Sequence, residues 1–335
     1  TLTSPWTRLP IAPPPATSYS RPMERLTCDR PVPEHLRGGV VALGNFDGFH
    51  RGHQAVVGAA LAHGRATGRP VLVASFDPHP VRYFRPDAPP FRLTSLDQRA
   101  ALFAAAGADA MLVFDFNATL ANVSAAEFVS DWLIGRAGAA HIVTGEDFTF
   151  GKGRAGNVAV LAELGAAQGL TAQAIGPVSD EQGAVSSSRI REALIAGDPV
   201  TAARLLTRPY RIQGRVQHGD KLGRTIGYPT ANIDMDRYLR PRYGIYAVRG
   251  LLPDGRVLHG AANVGIRPTF DPPKELLETH FFDFAESLYD QCIEIELIAY
   301  LRPEAKFDSL DALTAQMDRD CAEAKRILAA YSPVA

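Results

Sequence analysis

The sequence has little cysteine: Cys28, Cys292 and Cys321 are the only three in 335 residues, an odd number set far apart. That excludes a disulfide framework and a cysteine-rich zinc site, and it fits a reducing cytoplasm. No apolar run approaches the roughly 18 residues of a membrane-spanning helix, and the N-terminus lacks the charged start and apolar centre of an export signal. The expectation is a cytoplasmic chain with no membrane span. Charge of one sign is lacking too, since 35 Lys and Arg face 36 Asp and Glu for a formal net charge of −1. Broad nucleic-acid binding is therefore disfavoured, while local basic groups can still hold a small anion. There is no internal repeat and no low-complexity run after residue 35.

What is present is the composition of an ordinary globular protein, 46% apolar and 21% charged. The length exceeds the commonest domain size and predicts two domains. Residues 1–35 carry Pro5, Pro10, Pro13, Pro14, Pro15, Pro22, Pro31 and Pro33. Prolines at this density block helices and central strands alike and predict an extended surface arm. From residue 38, VVAL (40–43), VLVASF (71–76), AMLVFDF (110–116), HIVTG (141–145) and TAQAI (171–175) read as buried strands. Between them QAVVGAALAHG, LDQRAALFAAAG, AAEFVSDWLIG and VAVLAELGAAQG carry apolar residues at helical spacing, several running into a capping glycine. The alternation predicts an α/β domain with a parallel sheet and helices on both faces. It ends near Gly197, Asp198 and Pro199, a helix stop followed by a helix start.

Beyond residue 208, short alternating segments such as GIYAVRG, VLHGAANVG, ETHFFDF and CIEIELIAYL lie between Gly, Pro and Asp turns and predict an antiparallel barrel or sandwich. The last element reads as a helix, with Leu310, Leu313, Met317, Ala324 and Leu328 on one side and Asp308 or Ser309 as N-cap.

The stretch GNFDGFHRGH, residues 44–53, follows the first strand and opens a helix near His50, where open α/β sheets bind ligands. Helix N-termini attract phosphate through unpaired N–H groups and the macrodipole. Gly44, Gly48 and Gly52 would let the backbone approach a ligand closely, while His50 and His53 project hydrogen-bond donors toward it. The glycine spacing matches neither a P-loop nor a GxGxxG turn, and two histidines without a third ligand at suitable spacing speak against zinc. Alone, the pair could be structural. SFDPHP (75–80), GEDFTFGKGRAG (145–156) and VSSSRIR (185–191) should reach the same sheet edge. Ser186, Ser187 and Ser188 can cap a helix and donate to phosphate, with Arg189 placed to neutralise a departing pyrophosphate. Lys152 and Arg154 look like an anionic clamp in a glycine-rich loop, or a solvated turn; Asp77 and His79 either shape an acceptor pocket or hold the turn at Pro78 and Pro80.

With these four motifs in order, residues 36–200 resemble the FMN adenylyltransferase module of prokaryotic bifunctional riboflavin kinase/FMN adenylyltransferases, also called FAD synthetases. The resemblance implies a Rossmann-like nucleotidylyltransferase domain in which ATP donates AMP to FMN, giving FAD and pyrophosphate. It implies ATP-binding roles for Gly44, Asn45, Phe46, Asp47, Gly48, Gly52, Ser187 and Ser188, and catalytic roles for His50, His53 and Arg189 without a covalent intermediate. Asp77, His79, Asp147 and Phe150 would contact the flavin.

The second half stands on its own motifs. GRVQHGDKLGRTIGYPTANI (214–233) offers a glycine-bearing loop and then Thr230 and Asn232 on one side of an extended segment. A hydroxyl and an amide oxygen are hard ligands that suit Mg²⁺ better than zinc, although PTAN also reads as a plain turn before a strand. In LETHFFDF (277–284), Glu278, His280, Phe282 and Phe284 share a face if the run is extended, which sets a carboxylate among aromatic residues as a candidate general base. With NVGIRPTF (263–270) and LRPEAKF (301–307), these segments resemble the riboflavin kinase module over residues 205–330. The resemblance implies a six-stranded barrel with the C-terminal helix alongside, Mg²⁺·ATP held by Thr230 and Asn232, a nucleotide loop with Gly219 and Arg224, Glu278 as base for the ribityl 5′-hydroxyl, and Arg302 at the flavin.

The expected organisation is an arm at 1–35, an adenylyltransferase domain at 36–200 and a kinase domain at 201–335. The implied partners are riboflavin, FMN and ATP with Mg²⁺, no nucleic acid and no membrane; a weak homo-oligomer is left open. Two departures stand out: Asp290 follows Leu288 and Tyr289 where the family often has Gly, and the link from Phe270 to Glu278 is short. The rivals are an adenylyltransferase for a nicotinamide or pantetheine phosphate, and a flavin carrier without turnover.

Overall fold

A computed structural model of the chain describes residues 23–218, 228–267 and 274–332. Six parallel strands, β1 (Glu24–Thr27), β2 (Gly39–Leu43), β3 (Val71–Asp77), β4 (Ala110–Asp115), β5 (Ala139–Gly145) and β6 (Thr171–Ile175), form a sheet in the order β1-β4-β3-β2-β5-β6. Every residue of β2 is buried, as expected of a strand covered on both faces. Val41 and Leu43 enter the core on one face with Leu72 and Phe114; Val40 and Ala42 enter the other with Val57 and Val73. The predicted glycine stops hold at Gly107 and Gly197, each left-handed with φ of 98° and 82°, whereas Gly64 falls inside the helix Arg51–Thr67, which stops at Gly68 with φ 65°.

Three local expectations change. Within the stretch read as an arm, Glu24–Thr27 pairs with β4 from Glu24↔Ala110 to Thr27↔Val113 and closes that sheet edge. β6, read as buried, is the opposite edge and leaves Thr171, Gln173 and Ala174 exposed or half-exposed. The segment Phe128–Arg136 winds as a π-helix, closing with Ala137 N–H on Trp132 O, five residues back.

A short hairpin, β7 (Ser179–Asp180) and β8 (Gly183–Ala184), precedes two helices, Ser187–Ala196 and Pro199–Leu206, joined by Gly197 and by Asp198, whose carboxylate caps the second at Thr201 N. The remaining strands, β9 (Tyr210–Gln217), β10 (Ala231–Asp234), β11 (Gly244–Leu251), β12 (Val257–Arg267), β13 (Lys274–Phe281) and β14 (Cys292–Arg302), close an antiparallel barrel in the order β10-β13-β12-β11-β14-β9. Its interior, with Tyr210, Ile233, Val264 and Leu277, is continuous with Ile190, Leu194 and Leu206 of the two helices. The C-terminal helix, Leu310–Ala330, is capped by Ser309 and lays Ala324 and Leu328 on Ala247, Ala261 and Ile298 outside the barrel. Leu310 does not join that face and is 55% exposed, whereas Asp320, a polar residue, is buried because Arg302 reaches it at 2.6 Å.

Candidate active sites

The chain leaves β2 at the point where the strand order reverses, between β3 and β5, the place where open parallel sheets bind ligands. The loop that follows turns sharply, with Phe46, Gly48 and Phe49 at φ of 50°, 87° and 46°. Gly48 is needed there, because a Cβ would lie 2.9 Å from Leu93 Cδ1 on top of the left-handed backbone. Asp47 ties the loop down: its buried carboxylate accepts from Leu93 N at 2.9 Å, Thr94 N at 3.0 Å and Arg191 Nη2 at 2.7 Å. Asp47→Ala would orphan those amides and leave Arg191 uncompensated, so a loss of about 3–5 kcal/mol is expected in denaturant unfolding.

His50 is the N-cap of the helix Arg51–Thr67, not a member of it, and its Nδ1 accepts from Gly52 N at 3.2 Å. His53 lies in the first turn, so the two rings stack, with centroids 3.6 Å apart and planes at 22°. Burial pushes His50 down to about 4, against the pull of Asp47. His53 is pushed well below the ordinary 6.5 by burial, with His50 and Arg191 adding to the effect. His79, which caps the short helix Pro80–Phe84 through Nδ1, is also driven down to about 4 by burial. Between these values and the unfolded 6.5 the unfolded chain binds more protons than the native one. Stability should thus be full above pH 6.5 and fall as pH drops toward 4, which a series of thermal melts would follow.

A cleft of about 1270 Å³ opens over this edge. Gly44, Asn45, Phe46, Asp47, His50, Gly52 and His53 line it, and so do His79, Asp147, Phe150, Lys152, Arg154, Ser186 and Ser187, so the four motifs converge. Among the described residues, Gly48, Asp77, Ser188 and Arg189 are not in its wall. Asp77 faces Arg99 at 3.7 Å. Arg189, expected at the pyrophosphate, instead grips the β7–β8 hairpin through Gly183 O, Ala184 O and Asp180. Arg191 takes the cleft position that the sequence reading gave to Arg189. The signal was available: a helix starting at Ser187 returns to the same face after about 3.6 residues, at Arg191. Among the described residues no three His, Cys, Asp or Glu side chains converge as metal ligands.

On the barrel, Ala231 and Ile233 face the interior, which turns Asn232 outward on β10. Asn232 lies directly across from Glu278 of β13, and Asn263 of β12 lies across from Glu278 on its other side, so all three side chains share a face. The Oδ1 atoms of Asn232 and Asn263 are buried without a hydrogen-bond partner. Thr230 and Asn232 together line a cavity of about 90 Å³ at the barrel mouth, with Thr279, Phe284 and Tyr289. The segment before them is anchored by His280 Nδ1 at 3.0 Å from Pro229 O and by Tyr228 donating to Asp318 of the C-terminal helix.

The expected shared face of Glu278, His280, Phe282 and Phe284 holds only in part. β13 ends at Phe281, and Phe284 turns back to pack on Phe281 and enter the cavity wall. Arg302 is held by Asp320 and by Pro303 O, with its guanidinium 5.8 Å from the Phe307 ring. Asp290 adopts φ 63°, in the left-handed region that Gly favours. Gly219, Arg224 and residues 270–273 of the link from Phe270 to Glu278 lie outside the described residues.

Known proteins match both halves. The FAD synthetase family model matches residues 32–189 and the riboflavin kinase model residues 206–328. A bifunctional riboflavin kinase/FMN adenylyltransferase of Pseudomonas fluorescens is 42% identical over 298 residues, 89% of this chain and 95% of its own. One from Bacillus subtilis (strain 168) is 37% identical, covering 88% and 94%. A crystal structure described as a macrolide-efflux protein from Streptococcus pneumoniae matches with a TM-score of 0.80 at 30% identity, over 92% of this chain and 100% of that one. No helix among the described residues is long and apolar enough to cross a membrane.

Proposed function

The chain belongs to the bifunctional riboflavin kinase/FMN adenylyltransferase family, and from that premise we propose which residues perform each of its two reactions. The enzyme phosphorylates riboflavin with ATP to FMN, then transfers AMP from ATP to FMN, giving FAD and pyrophosphate. We place the kinase in residues 201–335 and the adenylyltransferase in 36–200, and the enzyme in the cytoplasm, in keeping with its three unpaired cysteines.

In the kinase, Glu278 accepts the proton of the ribityl 5′-hydroxyl as that oxygen attacks the γ-phosphorus and ADP leaves. Thr230 and Asn232 would hold Mg²⁺, since the buried, unmatched Oδ1 of Asn232 is a hard acceptor beside the cavity. There the ion would neutralise triphosphate charge. In the adenylyltransferase an already ionised FMN phosphate attacks the α-phosphorus, so no base is required. His50 and His53 act as neutral donors to the developing charge. Because Nδ1 of His50 accepts the Gly52 N–H, its proton resides on Nε2 and is the one available to a phosphate oxygen. Arg191, Lys152 and Arg154 neutralise the departing pyrophosphate from the cleft wall.

The observation that carries this reading is that the two cavities share no lining residue, one holding the imidazole pair and the other lying beside the Asn232–Glu278 register. Offered ATP with FMN, nicotinamide mononucleotide or phosphopantetheine in parallel, the enzyme should adenylylate FMN alone. Turnover of either other acceptor in place of FMN would reassign the sheet site, and formation of no product from riboflavin or FMN would mark a carrier.

A further inference from the structure

Asp47, Thr94 and Gly52 hold the His50–His53 loop from within the sheet domain. A second set of bonds reaches it from the chain that enters the barrel. The helix Pro199–Leu206 ends on Thr207, at φ 62°, and Arg208 follows just ahead of β9. Arg208 Nη2 donates to Gly48 O at 2.7 Å, and Nη1 to Phe49 O at 3.3 Å and Leu206 O at 3.0 Å. Gln54 completes the joint, its Nε2 donating to Phe49 O at 3.0 Å, Leu206 O at 3.2 Å and Thr207 Oγ1 at 2.9 Å.

The loop has reason to need this support. Phe46 and Phe49 lie in the left-handed region, which a bulky side chain adopts only where the surroundings over-determine it, and Gly48 and Phe49 are the residues immediately before His50. The hydrogen-bond partners of Arg208 among the described residues are all backbone carbonyls, so its guanidinium fixes main-chain geometry instead of closing an ion pair. It does not line the cleft, and it acts on the site by holding the loop and through its charge, which adds to the effects that keep His50 and His53 below their ordinary range.

We propose that Arg208 is a positioning residue for adenylyl transfer, although it lies in the segment 206–328 matched by the riboflavin kinase model. This rests on the reading of the sheet site given above. Arg208→Met should lower kcat for FAD formation from FMN and ATP by about 10- to 100-fold, the scale of a misplaced reactive group. KM for FMN and ATP should stay within about threefold and riboflavin phosphorylation within about twofold, the pattern of an interaction used in the transition state. Arg208→Lys, which keeps the charge and one donor nitrogen but not the planar fork, should recover part of kcat. Unchanged FAD formation in the methionine variant, a rise in KM alone, parallel loss of both activities, or no recovery with lysine would each overturn the inference. If the methionine variant does not fold, Arg208→Lys and Gln54→Met are read by the same split between the two activities. A parent enzyme that made no FAD would instead sink the reading of the sheet site itself.

Discussion

Glu278→Ala is expected to lower riboflavin phosphorylation by roughly 10²- to 10⁴-fold, the usual contribution of a general base, while purified FMN is still converted to FAD at the parental rate. The expectation of a clean effect follows from where the residue sits. Leu277, Thr279 and Phe281 of the same strand face inward and carry the packing, whereas Glu278 lies on the outer face between Asn232 and Asn263. Truncating it removes a reacting group without opening the core. FAD formation should persist because the cleft over the parallel sheet draws on none of these strands. Steady-state rates for the two half-reactions, measured separately on one preparation, check this directly.

His53→Ala should give the opposite split: FAD formation down by about 10²- to 10³-fold, the scale of one lost donor to a developing oxyanion, and riboflavin phosphorylation intact, so that FMN accumulates. The ring stacks on His50 at 3.6 Å and meets Phe46 edge-on at 5.3 Å, so its loss also loosens the pair. A thermal melt alongside the assay separates that effect from the loss of the donor. If either substitution abolished both half-reactions in a folded protein, the assignment of separate sites would fail.

Much of this was legible because the sequence concentrates its signals at strand ends. The continuous apolar runs of β2, β3 and β5 announce a doubly covered sheet, and their C-terminal ends carry the motifs that meet in the cleft. The Asn232–Glu278 pairing was within reach for the same reason, since period-two alternation sends both outward. What could not be read depended on partners distant in sequence. Asp47 reads as an ATP-binding residue, and nothing in the sequence shows that it is also tied to Leu93, Thr94 and Arg191. Nothing in ERLT marks it as an edge strand until β4 offers it a partner. Phe284 keeps its place in an alternating pattern only while the strand lasts, and the strand stops at Phe281. Arg189 and Arg191 differ by which way the helix turns them, and the β7–β8 hairpin captures the first.

The most direct measurement is a chromatographic time course of the intact enzyme with riboflavin, ATP and Mg²⁺. Expected is FMN that rises first and then declines as FAD grows, with ADP released in the first phase and pyrophosphate in the second. A mixture that yields neither flavin nucleotide, or in which FMN forms and is never carried on to FAD, would contradict two working sites on this one chain.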